Sequence, residues 1–258
     1  MFCDMIIKDI FAPKVTGEHT AEEVIFRRGV GELLVELRDV LMRTKLLITD
    51  TPRKKAETPI PGVPSALNLA LAVSLTSLGW TKRQAPGSTS ANANLDWHKM
   101  RPSGLSYMGD VGIAVEVQFG NNFQFNADVQ RFAEAILQGK IIAGVSIVPS
   151  DKFARYKADR GASFSDAKSK LERLLSIWSG SGAILIPSIM IWGIEPDGFM
   201  QSEKPGFAIE YPVFDLAATK NEMKPIRTES FDHEKARALL TSYGLDAASV
   251  ETEPDSSS

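Results

Sequence analysis

The sequence predicts an α/β fold, a sheet with helices packed on its faces. Three observations predict it. Residues 111–121 (VGIAVEVQFGN) alternate apolar and polar side chains, the period of a strand. Residues 121–139 place Phe125, Val129, Phe132, Ala133 and Ile136 at helical spacing. Residues 141–149 (IIAGVSIVP) are short, apolar and closed by Pro149, the pattern of a buried strand. Strand, helix and strand over this length make a crossover unit that sets two parallel strands side by side.

The other elements follow in order. Residues 21–47 read as a long helix, open to a break near Gly29 and Gly31. Its apolar stripe is Val24, Leu33, Leu34, Leu37, Val40 and Leu41, and Thr20 with Glu23 fits a capping box. Residues 50–64 hold Pro52, Pro59, Pro61 and Pro64 with Arg53, Lys54 and Lys55, a linker composition. A second amphipathic helix spans 65–78, capped by Ser65 and ended by Gly79. Residues 84–94 (QAPGSTSANAN) are loop-forming. A third helix covers 163–178, with Ser163 and Asp166 as its capping box and Phe164, Ala167, Leu171, Leu174 and Trp178 inward. The SGSG run at 179–182 ends it, and 183–194 is the next strand. A strand at 207–214 and a short helix at 232–243 complete the reading, and the polar run 251–258 is a disordered tail.

At 258 residues the chain can bury a substantial core as one large domain. With 29 Lys and Arg against 32 Asp and Glu, its net charge of −3 provides no global basic field for nucleic acid. A local positive cleft is still compatible with that total. One cysteine, Cys3, excludes a disulfide framework and a cysteine zinc site. His19, His98 and His233 are too scattered for a histidine metal cluster. Asp4, Lys8 and Asp9 interrupt any signal-like run, and no apolar stretch reaches the roughly 18 residues of a membrane span. These features lead to the expectation of a reduced, cytoplasmic setting without membrane association.

The site reading starts at Glu116-Val117-Gln118. Ile113, Val115, Val117 and Phe119 share one face of the strand; Ala114, Glu116, Gln118 and Gly120 share the other. A carboxylate and an amide side by side, with a backbone carbonyl between them, form a platform for a divalent metal. The plainer alternative is the solvated face of an edge strand. EVQFGN, NADVQRF, GVSIVPS and the helix that follows together resemble the BglII/BstYI-type restriction endonucleases of the PD-(D/E)xK superfamily, most strongly over about residues 96–175. That family places Gln where most relatives carry Lys, and Gln118 stands there. The resemblance implies a restriction-endonuclease-like fold: a central mixed sheet flanked by helices, with an N-terminal helical region. It implies one nuclease domain over residues 1–250, mainly helical over 1–80, with the catalytic core at 95–195 and a C-terminal part at 196–250.

The resemblance also implies an aspartate on the strand preceding Glu116. Asp96, in Leu95-Asp96-Trp97, matches that apolar-Asp-aromatic setting, and a hairpin through residues 101–104 would bring it beside Glu116. The excursion over 99–109 is longer than is usual in the family. Asp110 is the alternative. On one extended strand it would lie about 20 Å from Glu116 at about 3.3 Å per residue, too far to share an ion bound at roughly 2.0–2.6 Å. The implied metal is Mg²⁺, held by Asp96, Glu116 and the Val117 carbonyl, to stabilise phosphorane charge and lower the pKa of water. Gln118 has no ionisable group near neutral pH, so its role is to orient the attacking water. Glu57 is a further acid to weigh, on the linker before the second helix.

Base reading needs hydrogen-bond donors on loops. Candidates are Lys82, Arg83, the 88–94 loop with Ser88, Asn92 and Asn94, then Lys99 with His98, Asn121, Asn122, Asp151, Lys152 and Arg155. Ordinary surface is the alternative for each. The leading expectation is a Type II enzyme acting as a homodimer on a palindromic double-stranded DNA site. A repair or phage-defence nuclease of the same superfamily is a second reading. A non-catalytic DNA-binding module is a third, and the absent lysine is its support.

Overall fold

The computed structural model describes residues 5–14, 19–44, 63–82, 95–102, 109–119, 124–154, 162–180, 187–197 and 233–242. Its strands are β1 (Met5–Phe11), β2 (Thr81–Lys82), β3 (Trp97–Pro102), β4 (Asp110–Val117), β5 (Ala143–Pro149) and β6 (Ile189–Pro196). Its helices are α1 (Ala21–Arg27), α2 (Gly31–Arg43), α3 (Val63–Ser77), α4 (Gln124–Leu137), α5 (Asp151–Ala154), α6 (Phe164–Gly180) and α7 (His233–Ser242). Among the described residues the strands form one mixed sheet in the order β1-β6-β5-β4-β3-β2. The strands β4, β5 and β6 run parallel, joined by α4 and then by α5 and α6. The other three pairs, β1–β6, β3–β4 and β2–β3, are antiparallel.

Each face of the sheet buries its own core. On one, Val111, Ile113 and Val115 of β4 join Leu33, Leu37 and Leu41 of α2 and Leu67 and Leu71 of α3. On the other, Ala114 joins Phe125, Val129 and Phe132 of α4 and Ala167 and Leu171 of α6. The N-terminal helix divides as its glycines suggest. A capping box of Thr20 and Glu23 starts α1, and Gly29 takes φ 75° in the break before α2. Gly144 on β5 lets α4 approach: a Cβ there would run into the Phe132 ring. Gly144→Ala should therefore push α4 off the sheet and lower the melting temperature, a core-overpacking effect of about 1–3 kcal/mol measurable by chemical denaturation.

Several boundaries differ from expectation, each for a local reason. The stretch β1 makes the 1–80 part more than helical. MIIKDIF carries Lys8 and Asp9, which an edge strand tolerates because one rim faces water. α3 starts at Val63, so Ser65 lies inside the helix rather than at its cap; Pro64 sits in the first turn, where its missing N–H costs nothing. α6 runs through Ser179 to Gly180. The ladder of β6 begins only at Ile189, beyond Pro187, because proline cannot donate to it. Residues 50–62, 84–94, 183–186, 207–214 and 251–258, Glu57 among them, lie outside the described residues.

Candidate active site

The strand β4 ends at Val117, at the carboxyl end of the parallel strands, where open α/β sheets place their sites. By strand alternation Glu116 shares the face of Ala114, the face covered by α4. That face is not solvated, and β4 is not an edge. β3 and β5 flank it, leaving Glu116 2% exposed and Gln118 7% exposed. The solvated-edge reading fails because it counted polar residues without the helix that packs over them.

Trp97 lies opposite Val115, so Asp96 enters β3 opposite Glu116. Asp96 Oδ2 accepts the Val117 N–H at 3.0 Å, and the Asp96 charge acts on the Glu116 carboxyl across the β3–β4 pair. Asp110 is exposed at the other end of β4, opposite Pro102. The two aspartates therefore stand at opposite ends of the β3–β4 pair, and only Asp96 is beside Glu116. Gln118 follows the strand directly, with its N–H bonded to the Ile147 carbonyl at 2.8 Å.

The helix α4 adds two residues that the sequence reading did not single out. Asp128 is fully buried, and Arg131 pairs with its Oδ1. The same Arg131 Nη2 lies 3.3 Å from Glu116 Oε1. A signal for Asp128 exists in the sequence: it stands three residues after Phe125 and four before Phe132, inside the apolar stripe. A charged residue on an inward helical face is the exception that marks a site. Ser146, next to Glu116 across the β4–β5 ladder, was likewise unremarked.

Unpaired polar atoms gather here. His98 Nδ1, Ser146 Oγ, Asp128 Oδ2 and Arg131 Nε are buried without a hydrogen-bond partner. Interiors leave few such atoms, so a cluster of them suits a place where protein groups meet water, an ion or a ligand. Burial, then the charges of Asp96 and Asp128, push the Glu116 carboxyl well above the usual carboxylate range; Arg131 opposes them. Burial likewise pushes Asp128 up to about 7 against the pull of Arg131, with Asp96 adding to the rise. His98 is held below its ordinary value by burial.

The shift of Asp128 makes a stability prediction. The folded state holds its proton more tightly than the unfolded chain does. That stabilisation is complete below the unfolded value of 3.8 and is lost as pH rises through about 7. Asp128→Asn should remove this component, so melting temperatures of the metal-free variant should fall less than those of wild type between roughly pH 5 and pH 8. Equal pH dependence in the two proteins, by calorimetry, would contradict it.

Among the described residues no three Asp, Glu, His or Cys side chains converge as a metal site. Asp96 and Glu116 make a two-carboxylate platform, the donor set of a hard cation that keeps several of its waters. The residues proposed to meet DNA are dispersed. Lys82, on β2 beside Trp97, has its ammonium 5.3 Å from that indole. Lys152 is half-buried on α5, which begins where β5 ends. Lys99 is on the opposite face from Glu116. Its ammonium binds Glu36 Oε1 and Oε2 at 2.6 and 2.8 Å and the Leu78 carbonyl at 2.6 Å. His98 is buried rather than surface-exposed. Arg83, Ser88, Asn92, Asn94, Asn121, Asn122 and Arg155 lie outside the described residues.

The family model of restriction endonuclease BglII/BglIII matches residues 15–192. That span contains β3, β4, α4 and β5, and with them every residue of the platform. No curated protein matches the chain. No described helix is long and apolar enough to cross a membrane.

Proposed function

This chain belongs to the BglII/BglIII restriction-endonuclease family, and from that premise we propose that it is a Mg²⁺-dependent enzyme that cuts both strands of a palindromic DNA site as a cytoplasmic homodimer. The family makes it a Type II site-specific deoxyribonuclease, which sets aside the reading as a non-catalytic module. Type II restriction endonucleases generally use a divalent metal. The observation that carries the proposed site is the meeting of Asp96 and Glu116 at the carboxyl end of β4. We assign the catalytic core to residues 95–195 of a single nuclease domain spanning 1–250.

Asp96, Glu116 and the Val117 carbonyl are the proposed ligands. The N–H and C=O of a strand residue face the same neighbour, so the bond from Val117 N–H to Asp96 turns the Val117 carbonyl toward Asp96 as well. When bound, the ion supplies a Lewis acid at the phosphoryl oxygens and makes water a better nucleophile. Gln118 accepts a hydrogen bond from the attacking water and orients it. The buried face excludes bulk solvent, which strengthens each of these interactions. Lys82 and Lys152, at the end of the sheet carrying the site, are proposed to meet the DNA backbone. Arg83, Ser88, Asn92, Asn94, Asn121, Asn122 and Arg155 are kept as loop contacts. Lys99, committed to Glu36, is not.

The test is incubation with long DNA of known sequence and Mg²⁺, followed by sequencing of the fragment ends. One short palindrome at every end, with cutting stopped by a chelator, is the expected result. Structure-dependent nicks would favour the repair or phage-defence reading instead. Gln118 has its own test. Gln118→Ala should lower the single-turnover rate by about 10²-fold, the scale of lost positioning. Gln118→Lys should also be slow, because an added cation beside the ion is repulsive. An Ala variant as fast as wild type would remove Gln118 from the mechanism.

A further inference from the structure

Arg131 is where the metal site and the metal-free structure meet. Its Nη2 bridges two carboxylates, Glu116 and Asp128, on the side of Glu116 that faces α4. Glu116 is one of the proposed ligands, so this inference rests on the reading of the site given above. Two acids of the platform, Asp96 and Glu116, stand opposite each other on adjacent strands with Glu116 buried, and the fully buried Asp128 adds a third acidic group on the same Arg131. Such a cluster needs a cation, since unpaired charges in an interior are costly. Arg131 is the only cation that the structure pairs with Glu116 among the described residues. Its side chain keeps 28% exposure, so it has a way out toward solvent; that of Glu116 keeps 3%.

We propose that Arg131 is the stand-in cation of the metal-free site: it neutralises Glu116 until a divalent ion binds, and the ion must displace it. Asp128 is the positioning residue that makes the displacement reversible. It is one helical turn before Arg131 and holds the guanidinium through Oδ1, so Arg131 that has released Glu116 stays tethered beside the site. The second Asp128 oxygen and Arg131 Nε, both buried and unpartnered, provide the contacts a rotated guanidinium would take up. The ion and Arg131 thus compete for one carboxylate, and the metal affinity of the DNA-free protein is set by that competition. A merely structural ion pair makes the opposite prediction, because its removal loosens the site and weakens metal binding.

Mn²⁺ alone is the probe, added to the full-length DNA-free protein and followed by the loss of its free-ion electron paramagnetic resonance signal. Arg131→Gln should bind Mn²⁺ about tenfold or more tightly than wild type, since a like charge beside the ion has been removed. Arg131→Lys keeps the charge and should stay close to wild type. Glu116→Gln should abolish binding in either background. Unchanged or weaker binding by a folded Arg131→Gln variant, with binding still dependent on Glu116, would overturn the stand-in role and leave the metal site standing. Binding insensitive to Glu116 in every variant would overturn both. Should Arg131→Gln not fold, the wild-type protein gives the answer: the Arg131 Nε–H resonance should shift on Mg²⁺ addition, and its constancy at saturating Mg²⁺ would refute the proposal.

Discussion

Glu116→Ala is expected to lower the rate of DNA cleavage by about 10³-fold or more while leaving the protein folded and able to bind DNA. The residue is 2% exposed, so its removal is a change to the interior, and the two effects run in opposite directions. As a proposed ligand, Glu116 is needed for charge stabilisation and for activating water. As a buried group, it is held in an environment that disfavours its charged form, through burial and the nearby charges of Asp96 and Asp128. A neutral replacement of similar volume relieves that conflict. Glu116→Gln in the metal-free protein should therefore melt no lower than wild type while cleavage is lost. Single-turnover cleavage and calorimetry on the same preparation decide the point. A variant that cuts near the wild-type rate would displace the site, and one that is inactive because it is unfolded would make Glu116 structural.

The parts of this site that were legible in the sequence are those governed by period. Alternation across 111–119 gives a strand with Glu116 and Gln118 on one side, and the helical spacing of Phe125, Val129 and Phe132 gives the helix that follows. Alternation does not say what covers a face. The polar side of β4 looks solvated in sequence and is buried in the structure because α4 lies on it, with Phe132 seated against Gly144. Asp128 is hard to see for a related reason: a helical stripe shows in its apolar members Phe125, Val129 and Phe132, and nothing in the spacing says that the charged residue among them is buried. Lys99 shows the reverse error. In sequence it neighbours Asp96; on a strand, residues 96 and 99 point to opposite faces, and Lys99 pairs with Glu36 on α2. MIIKDIF carries no legible strand signal, since Lys8 and Asp9 break its apolar run, and its pairing with β6 is visible only in the structure.

The second large effect separates Asp96 from Asp110. Asp96→Asn should cost about 10³-fold in single-turnover rate, at least as much as Glu116→Gln, because it takes a negative charge from the proposed ion site. It should do so with little change in structure. The contact Asp96 makes to the fold is acceptance of the Val117 N–H through Oδ2, and an asparagine carbonyl accepts the same bond. The charge is thus changed while the β3–β4 junction is kept. Asp110 faces solvent at the opposite end of β4, with Pro102 across from it, so Asp110→Asn should stay within about threefold of wild type, as surface substitutions do. The discriminating measurement is the ratio of the two single-turnover rates at saturating Mg²⁺, with circular dichroism to confirm that both variants fold. If Asp110→Asn were the slower enzyme, Asp110 could not share an ion with Glu116, which lies on the same strand, and a platform of Asp96 with Asp110 would need β4 to be re-paired by several residues against β3. Every cross-strand partner from Trp97–Val115 to Pro102–Asp110 would then have to change. A slip by an odd number of residues would also carry Trp97 from the apolar core onto the face of Glu116.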